Sequence, residues 1–289
     1  MALITLDFES EYMGSNQNVN IIMPDKPRDI SCQQFYENEK KYKVLWLLHE
    51  TFGGYSDWIH KSNIETYACE REIIVVMPGI GNADYENWQT FTLGLNADKY
   101  ITEELMPMIY NWFPASEKRE DNFIAGLSMG GKGTLMFALK YPQLFSKAAV
   151  LSFIPSDMEN QKEKFEKLYS LTLDEVISDS DVMHQNQRLY NCMHNMGSVE
   201  AYMNSYYNLR RKLKEADLSK LPELLFACGT EDSIFAGEIA SFKQFLKEIN
   251  LEVKWTMGPG NHEWRVWERD IQIALDFFSK ENTGKGNAF

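Results

Sequence analysis

Short apolar runs alternate with longer amphipathic stretches along most of the chain. Six runs read as buried strands: Val44 to Leu48, Ile73 to Met77, Phe123 to Ala125, Ala148 to Leu151, Leu224 to Cys228 and Val253 to Met257. A strand covered on both faces reads as such an unbroken apolar run. Helical periodicity separates most of them, around Ile64 to Arg71, Lys99 to Trp112, Gly131 to Lys140, Glu238 to Ile249 and Glu263 to Phe278. Upstream, residues 2 to 7 and 18 to 23 alternate as an opening antiparallel pair. This order predicts the α/β class: a mostly parallel central sheet with helices on both faces and right-handed crossovers.

One stretch breaks the rhythm. Residues 155–220, between the strands ending near Leu151 and starting near Leu224, are too long for one crossover. They are polar and tyrosine-rich, with helical patterns at Met158 to Leu168, Leu173 to Ser178 and Val199 to Ala216. The stretch is read as a helical cap over the sheet's carboxyl edge, inserted in a single domain spanning residues 1–289. The glycine-rich tail, Glu281 to Phe289, is expected to fray.

With 289 residues, 44% apolar and 13% aromatic, the chain can bury the core of a large α/β enzyme. A net charge of −13 argues against nucleic acid or an anionic membrane as partner. The four cysteines (Cys32, Cys69, Cys192, Cys228) form no C-x-x-C pair, which fits a reducing cytoplasm better than a disulfide framework. The opening Met-Ala-Leu-Ile-Thr-Leu-Asp lacks the basic stretch and apolar core of a signal peptide. No apolar run approaches the roughly 20 residues that span a bilayer. A cytoplasmic location and a small-molecule substrate are the expectation, with homo-oligomers left open.

The chemistry begins at Gly126-Leu127-Ser128-Met129-Gly130. A strand precedes this G-x-S-x-G and a helix follows it, the context of a nucleophile elbow. Such a turn strains the serine and lifts its hydroxyl clear of the sheet. The close passage of neighbouring backbone requires Gly126 and Gly130 to lack side chains. The plain alternative is a glycine-rich strand-to-helix turn with a capping serine.

A serine alcohol needs a base to take its proton, and the base needs an acid to fix its tautomer. On such an elbow the acid follows the serine in sequence and the histidine comes last. His184, His194 and His262 follow Ser128. His262 lies in the turn-rich Gly258-Pro259-Gly260-Asn261-His262, just past the last strand, where sites of parallel sheets assemble. His184 and His194 read as solvent-facing positions of the cap. The acid belongs after Leu224 to Cys228, in Gly229-Thr230-Glu231-Asp232. Asp232 is preferred, and spacing alone leaves Glu231 open.

An oxyanion hole needs two backbone N–H groups. Met129, directly after the serine, supplies one. The other belongs to the loop after the first parallel strand, His49-Glu50-Thr51-Phe52-Gly53-Gly54, with Thr51 the first choice and Phe52 the second. Trp264 and Trp267 read as packing residues beside His262. No cofactor is expected. His49 and His60 are not at zinc spacing, and neither H-E-x-x-H nor a Walker motif occurs. Gly79-Ile80-Gly81 lacks the third glycine of a dinucleotide fingerprint.

Leu47-Leu48-His49, Gly53-Gly54 with Trp58, Gly126 to Gly131, Gly229 to Asp232 and His262-Glu263-Trp264-Arg265, in this order, resemble the esterase D family of α/β-hydrolases. Val75-Val76-Met77-Pro78 and the segment from Glu103-Glu104-Leu105 to Phe113-Pro114 add a likeness to its tributyrin-esterase branch. The matches run from about residue 40 to 280 and skip the cap. The resemblance implies an α/β-hydrolase fold and cofactor-free hydrolysis of short-chain carboxylic esters such as acetyl esters; the aromatic residues of the cap leave aromatic-acid esters open as well. It implies Ser128 as nucleophile, His262 as base, Asp232 as acid, and Thr51 and Met129 at the oxyanion hole. One position departs: the family carries glycine directly after the first-loop histidine, and here stands Glu50. A glutamate there is strained if the position needs a positive φ, and its carboxylate would disfavour acidic acyl groups. Two rival readings remain: a thioesterase of the S-formylglutathione hydrolase type, and a non-catalytic binding protein on the same fold.

Overall fold

The computed structural model describes residues 2–89, 94–178 and 184–279. The strands are β1 (Ala2–Ser10), β2 (Ser15–Met23), β3 (Lys43–Leu48), β4 (Ile73–Pro78), β5 (Asn87–Trp88), β6 (Leu95–Asn96), β7 (Asn122–Leu127), β8 (Lys147–Leu151), β9 (Glu223–Gly229) and β10 (Lys254–Gly258). Eight form one sheet in the order β1-β2-β4-β3-β7-β8-β9-β10, and β5 and β6 form a separate antiparallel pair. β1 pairs with β2, and β2 with β4, antiparallel; every later pairing in the large sheet is parallel. The predicted, mostly parallel α/β sheet is the one observed.

The α-helices are α1 (Cys32–Tyr36), α2 (Asp57–Lys61), α3 (Ile64–Glu70), α4 (Ala97–Lys99), α5 (Met106–Trp112), α6 (Met129–Lys140), α7 (Lys162–Tyr169), α8 (Leu173–Ser178), α9 (Gln185–Met196), α10 (Val199–Asn204), α11 (Leu209–Glu215), α12 (Ile239–Glu248) and α13 (Trp264–Phe278). Both faces of the sheet are covered. Leu45 and Leu47 of β3 share one core with Ile64 and Ala68 of α3 and with Ile271, Leu275 and Phe278 of α13. On the other face, Trp46 meets Tyr110 of α5 edge to face, and α6 packs on β3, β7 and β8. Double coverage is why β3, β4 and β7 read as unbroken apolar runs. α6 is buried from Met129 through Leu139, so its composition is small and apolar all round rather than amphipathic.

Two helical expectations changed in detail, and one helix was unforeseen. The stretch Lys99 to Trp112 is helical but widens into a π turn at Tyr100–Leu105. Pro107, early in α5, has no N–H for the regular ladder, and the change of winding falls just before it. The stretch Val199 to Ala216 is two helices, α10 and α11, because the Asn208 side chain takes the N–H of Arg211 and starts a new helix. α9 was not foreseen; its polar sequence carries too few apolar positions to show a period.

The chain divides into two compact units. One comprises Met1–Ile154, Ser219–Ile239 and Glu252–Phe289; the other comprises Pro155–Leu218 and Ala240–Leu251. The first holds the large sheet. The second is helical, held by contacts such as Phe165 against Tyr202 and Tyr169 stacked on His194. The tail 281–289 lies outside the described residues. All four cysteines are free, Cys32 exposed and the others buried. No helix among the described residues is long and apolar enough to cross a membrane.

Candidate active site

Ser128 stands between β7 and α6 with φ 53° and ψ −115°, a conformation that costs an L-residue about 1–3 kcal/mol. The turn is locked on both sides. The N–H of Ser128 donates to the Leu151 carbonyl at 2.9 Å, and its carbonyl accepts from the N–H of Lys132 at 3.0 Å. A Cβ on Gly130 would lie 2.6 Å from the Leu48 carbonyl oxygen and 2.7 Å from that of His49. A Cβ on Gly126 would lie 2.7 Å from the Leu48 Cβ. Both glycines are required by close backbone approach, as the sequence predicted. Met129 is the first residue of α6, so its N–H has no acceptor within the helix and lies at the positive end of the helix dipole.

The loops carrying Asp232 and His262 leave neighbouring strands at one level. β9 and β10 pair in parallel with Gly229 opposite Gly258. The pairing continues past the strand ends: Thr230 N–H donates to the Gly258 carbonyl at 2.8 Å, and Glu231 N–H to that of Gly260 at 3.1 Å. The Asn261 side-chain oxygen then accepts from Ser233 N–H at 2.9 Å and His262 N–H at 2.8 Å, tying the loops together.

Within this frame the His262 Nε2 is 3.0 Å from the Ser128 hydroxyl, and its Nδ1 is 2.9 Å from Asp232 Oδ2. Asp232 is wholly buried. Its other oxygen, Oδ1, accepts from the N–H groups of Ile234 at 3.0 Å and Phe235 at 3.1 Å. Burial alone would push this carboxyl up; the hydrogen bond and charge of His262, with the two backbone donors, outweigh it and hold the group below its ordinary value. Glu231, the competitor in sequence, turns away: it is exposed and accepts from Gly260 N–H and the Thr230 hydroxyl. The Cys228 thiol, 3.6 Å from Asp232 Oδ2, is pushed up to about 12 by burial and by that carboxylate, so it stays protonated.

Aromatic rings hold the imidazole. Trp267 meets it edge to face at 5.0 Å, and Phe235 lies 5.7 Å away and packs on Phe153. Trp267 is buried, and Trp264 packs between it and Trp58. The packing expected of both tryptophans is what is found. In the helical unit His194 stacks on Tyr169 and meets Tyr190 at a tilt, and His184 precedes α9.

The loop after β3 is held from beneath. His49 is buried; its Nε2 accepts from Ile80 N–H at 3.1 Å, which leaves the proton on Nδ1 for the Glu50 carbonyl at 2.7 Å. Burial lowers the His49 pKa and keeps the ring neutral. Tyr85 donates its hydroxyl to the His49 carbonyl at 2.9 Å. Gly53 N–H also donates to the Glu50 carbonyl, at 3.1 Å. That carbonyl and the Thr51 N–H belong to one rigid peptide plane and point opposite ways, so fixing the first aims the second. Glu50 is not among the residues with positive φ; the strained residue is Phe52, at 63°. Phe52 N–H donates to Asn82 Oδ1 at 2.8 Å and so is already engaged. The Glu50 side chain lies by Lys61, 3.6 Å away, with the carboxylate pushed up chiefly by burial.

Sequence reasoning missed Asn261, Asn82 and the structural use of His49. Asn261 stood beside the histidine in a turn-rich loop, a usable hint; nothing local marks Asn82.

Residues 10–278 match the family described as Putative esterase. The chain belongs to this esterase family. An acetyl esterase from Caldicellulosiruptor saccharolyticus is 27% identical over 294 residues, covering 97% of this chain and 99% of that protein. An S-formylglutathione hydrolase from Staphylococcus aureus superposes with a TM-score of 0.73 at 28% identity, over 96% of this chain and 98% of that one. A second S-formylglutathione hydrolase, from Agrobacterium tumefaciens, superposes with a TM-score of 0.71 at 18% identity over 97% and 99% of the two chains, a likeness of fold. The fold of this esterase is the α/β-hydrolase fold.

Proposed function

We propose that this esterase is a serine carboxylesterase acting on short-chain acyl esters through an acyl-enzyme, with Ser128, His262 and Asp232 as its triad. The observation that carries the reading is the pair of contacts on one imidazole: Ser128 Oγ at 3.0 Å and Asp232 Oδ2 at 2.9 Å. His262 Nε2 takes the hydroxyl proton as Ser128 Oγ bonds to the ester carbonyl carbon. Met129 and Thr51 N–H groups bind the resulting oxyanion. As the intermediate collapses, protonated His262 gives its proton to the departing alcohol. Water repeats the sequence on the acyl-enzyme, releasing the acid and restoring Ser128. Groups of this chain supply every role, so the steps call for no cofactor.

The esterase D resemblance, and its tributyrin branch, belong to this reading; the motif order supports them. So does residues 155–220 as a cap insertion in one hydrolase domain, supported by their place between β8 and β9. A cytoplasmic location rests on the four free cysteines. A net charge of −13 makes a small ester, rather than nucleic acid or an anionic membrane, the partner.

The likeness to the Staphylococcus aureus enzyme favours one second reading, a thioesterase on the same machinery. Measuring kcat/KM for p-nitrophenyl esters from acetyl to decanoyl, for feruloyl esters and for S-formylglutathione separates the two. An ester reading expects acetyl to butyryl esters to lead. A lead for the thioester transfers the assignment to the second reading, and no turnover of any of them ends both.

A further inference from the structure

We infer that Asn82 is a positioning residue for the oxyanion hole: by accepting the Phe52 N–H, its side chain fixes the peptide that follows Thr51. The esterase reading, with Thr51 as a donor, underlies this.

Phe52 has a φ of 63°, left-handed for a residue with a large side chain. Its ring is 66% exposed, so packing does not hold it there. The backbone must, and the contact made by its N–H is Asn82 Oδ1 at 2.8 Å.

Asn82 is well placed to hold it. It follows Gly81, itself at a φ of 55°, in the turn after β4. That turn is tied to the buried frame: Gly79 N–H donates to the Asn18 carbonyl at 3.1 Å, and Ile80 N–H to His49 Nε2 at 3.1 Å. Tyr85, wholly buried, adds its bond to the His49 carbonyl. Segment 80–85 thus grips the loop at His49 and again at Phe52, on either side of Thr51. His49 and Gly53 fix the peptide plane before Thr51, and Asn82 fixes the plane after it. The first plane aims the Thr51 N–H, and the second keeps Thr51 from swinging that plane about its own backbone bonds. Without Asn82, Phe52 can relax toward negative φ and carry the Thr51 peptide with it.

The role is indirect, so binding of the ground-state ester should not feel it. Asn82→Ala is expected to lower kcat for p-nitrophenyl acetate about tenfold with KM unchanged, less than deleting a donor outright. Fluorophosphonate inactivation of Ser128 should slow in parallel. Asn82→Asp keeps an acceptor oxygen at the same reach and should restore most of kcat. In a Phe52→Gly background, where a positive φ is unstrained, Asn82→Ala should cost less than in the parent. Asn82 is exposed, so circular dichroism should report wild-type folding for every variant. Wild-type kcat in Asn82→Ala, or a loss that Asn82→Asp fails to relieve, overturns the inference while leaving the esterase reading intact. A parent protein that neither turns over the ester nor takes the probe fails at the earlier reading and removes both.

Discussion

Asp232 Oδ2 lies 2.9 Å from His262 Nδ1 because the two residues leave adjacent parallel strands from paired positions, Gly229 and Gly258. Asp232 is buried and accepts two further backbone N–H groups on its other oxygen, so its anionic form is held in place before any substrate arrives. That carboxylate dictates which imidazole nitrogen carries the proton.

Asp232→Asn tests this directly. The amide can offer an N–H to Nδ1, which moves the ring proton to Nε2 and leaves no lone pair for Ser128. kcat is expected to fall by about 10⁴ with the fold retained. Steady-state kinetics beside a melting curve check it; a loss below tenfold would contradict the proton-placing role.

The elbow predicts a trade between stability and activity. Ser128→Ala and Ser128→Gly both remove the hydroxyl, but only glycine adopts φ 53° and ψ −115° without strain. The glycine variant should be the more stable by ~1 kcal/mol in urea unfolding. Equal stabilities would mean that the turn stores no strain at that residue.

Gly130 has no room to grow. An added methyl would meet the Leu48 and His49 carbonyl oxygens at 2.6 and 2.7 Å, and both are backbone. Gly130→Ala should destabilise by ~1–3 kcal/mol or more and displace the loop after β3, lowering kcat as well. Chemical denaturation and ester kinetics on the same preparation read both effects.

Glu86 makes stability depend on pH. Its side chain is buried, and among the described residues Oε1 has no hydrogen-bond partner. Burial raises its pKa from 4.5 to about 7; Lys132 and Lys140 oppose the shift, and Asp98 and Asp84 add to it. The folded state therefore keeps this proton up to about pH 7, while the unfolded chain loses it near 4.5. Between those values the unfolded state binds fewer protons, so this group's contribution to stability falls as pH rises. Glu86→Gln cannot ionise, and its advantage over wild type should grow from about pH 5 to about pH 8, by at most ~3 kcal/mol. Urea midpoints at the two pH values check it; a constant difference contradicts it.

Where a pattern is carried by a run of residues, it was legible. The doubly covered strands show as apolar runs, and β1 as alternation, because burial acts on every residue of the element; β2 is buried continuously from Val19 to Ile22 rather than alternating. That Ser128, Asp232 and His262 stand just past strand ends was readable because turn chemistry and chain order mark those ends. The choice of Asp232 over Glu231 was not: adjacent residues differ only in which way the loop turns them, and that is set by backbone bonds from a distant loop. Strain fell on Phe52 rather than Glu50 for a similar reason, since Asn82 decides it from 30 positions away. α9 and the break before Asn208 escaped because polar helices are defined by caps and neighbours more than by a period.

The most direct measurement is mass spectrometry of the protein mixed with p-nitrophenyl acetate and quenched within its first turnovers. The mechanism predicts an acetyl group on the tryptic peptide that contains Ser128, removed as turnover proceeds and absent from Ser128→Ala. Acetylation at another residue, or undiminished hydrolysis by Ser128→Ala, would contradict it.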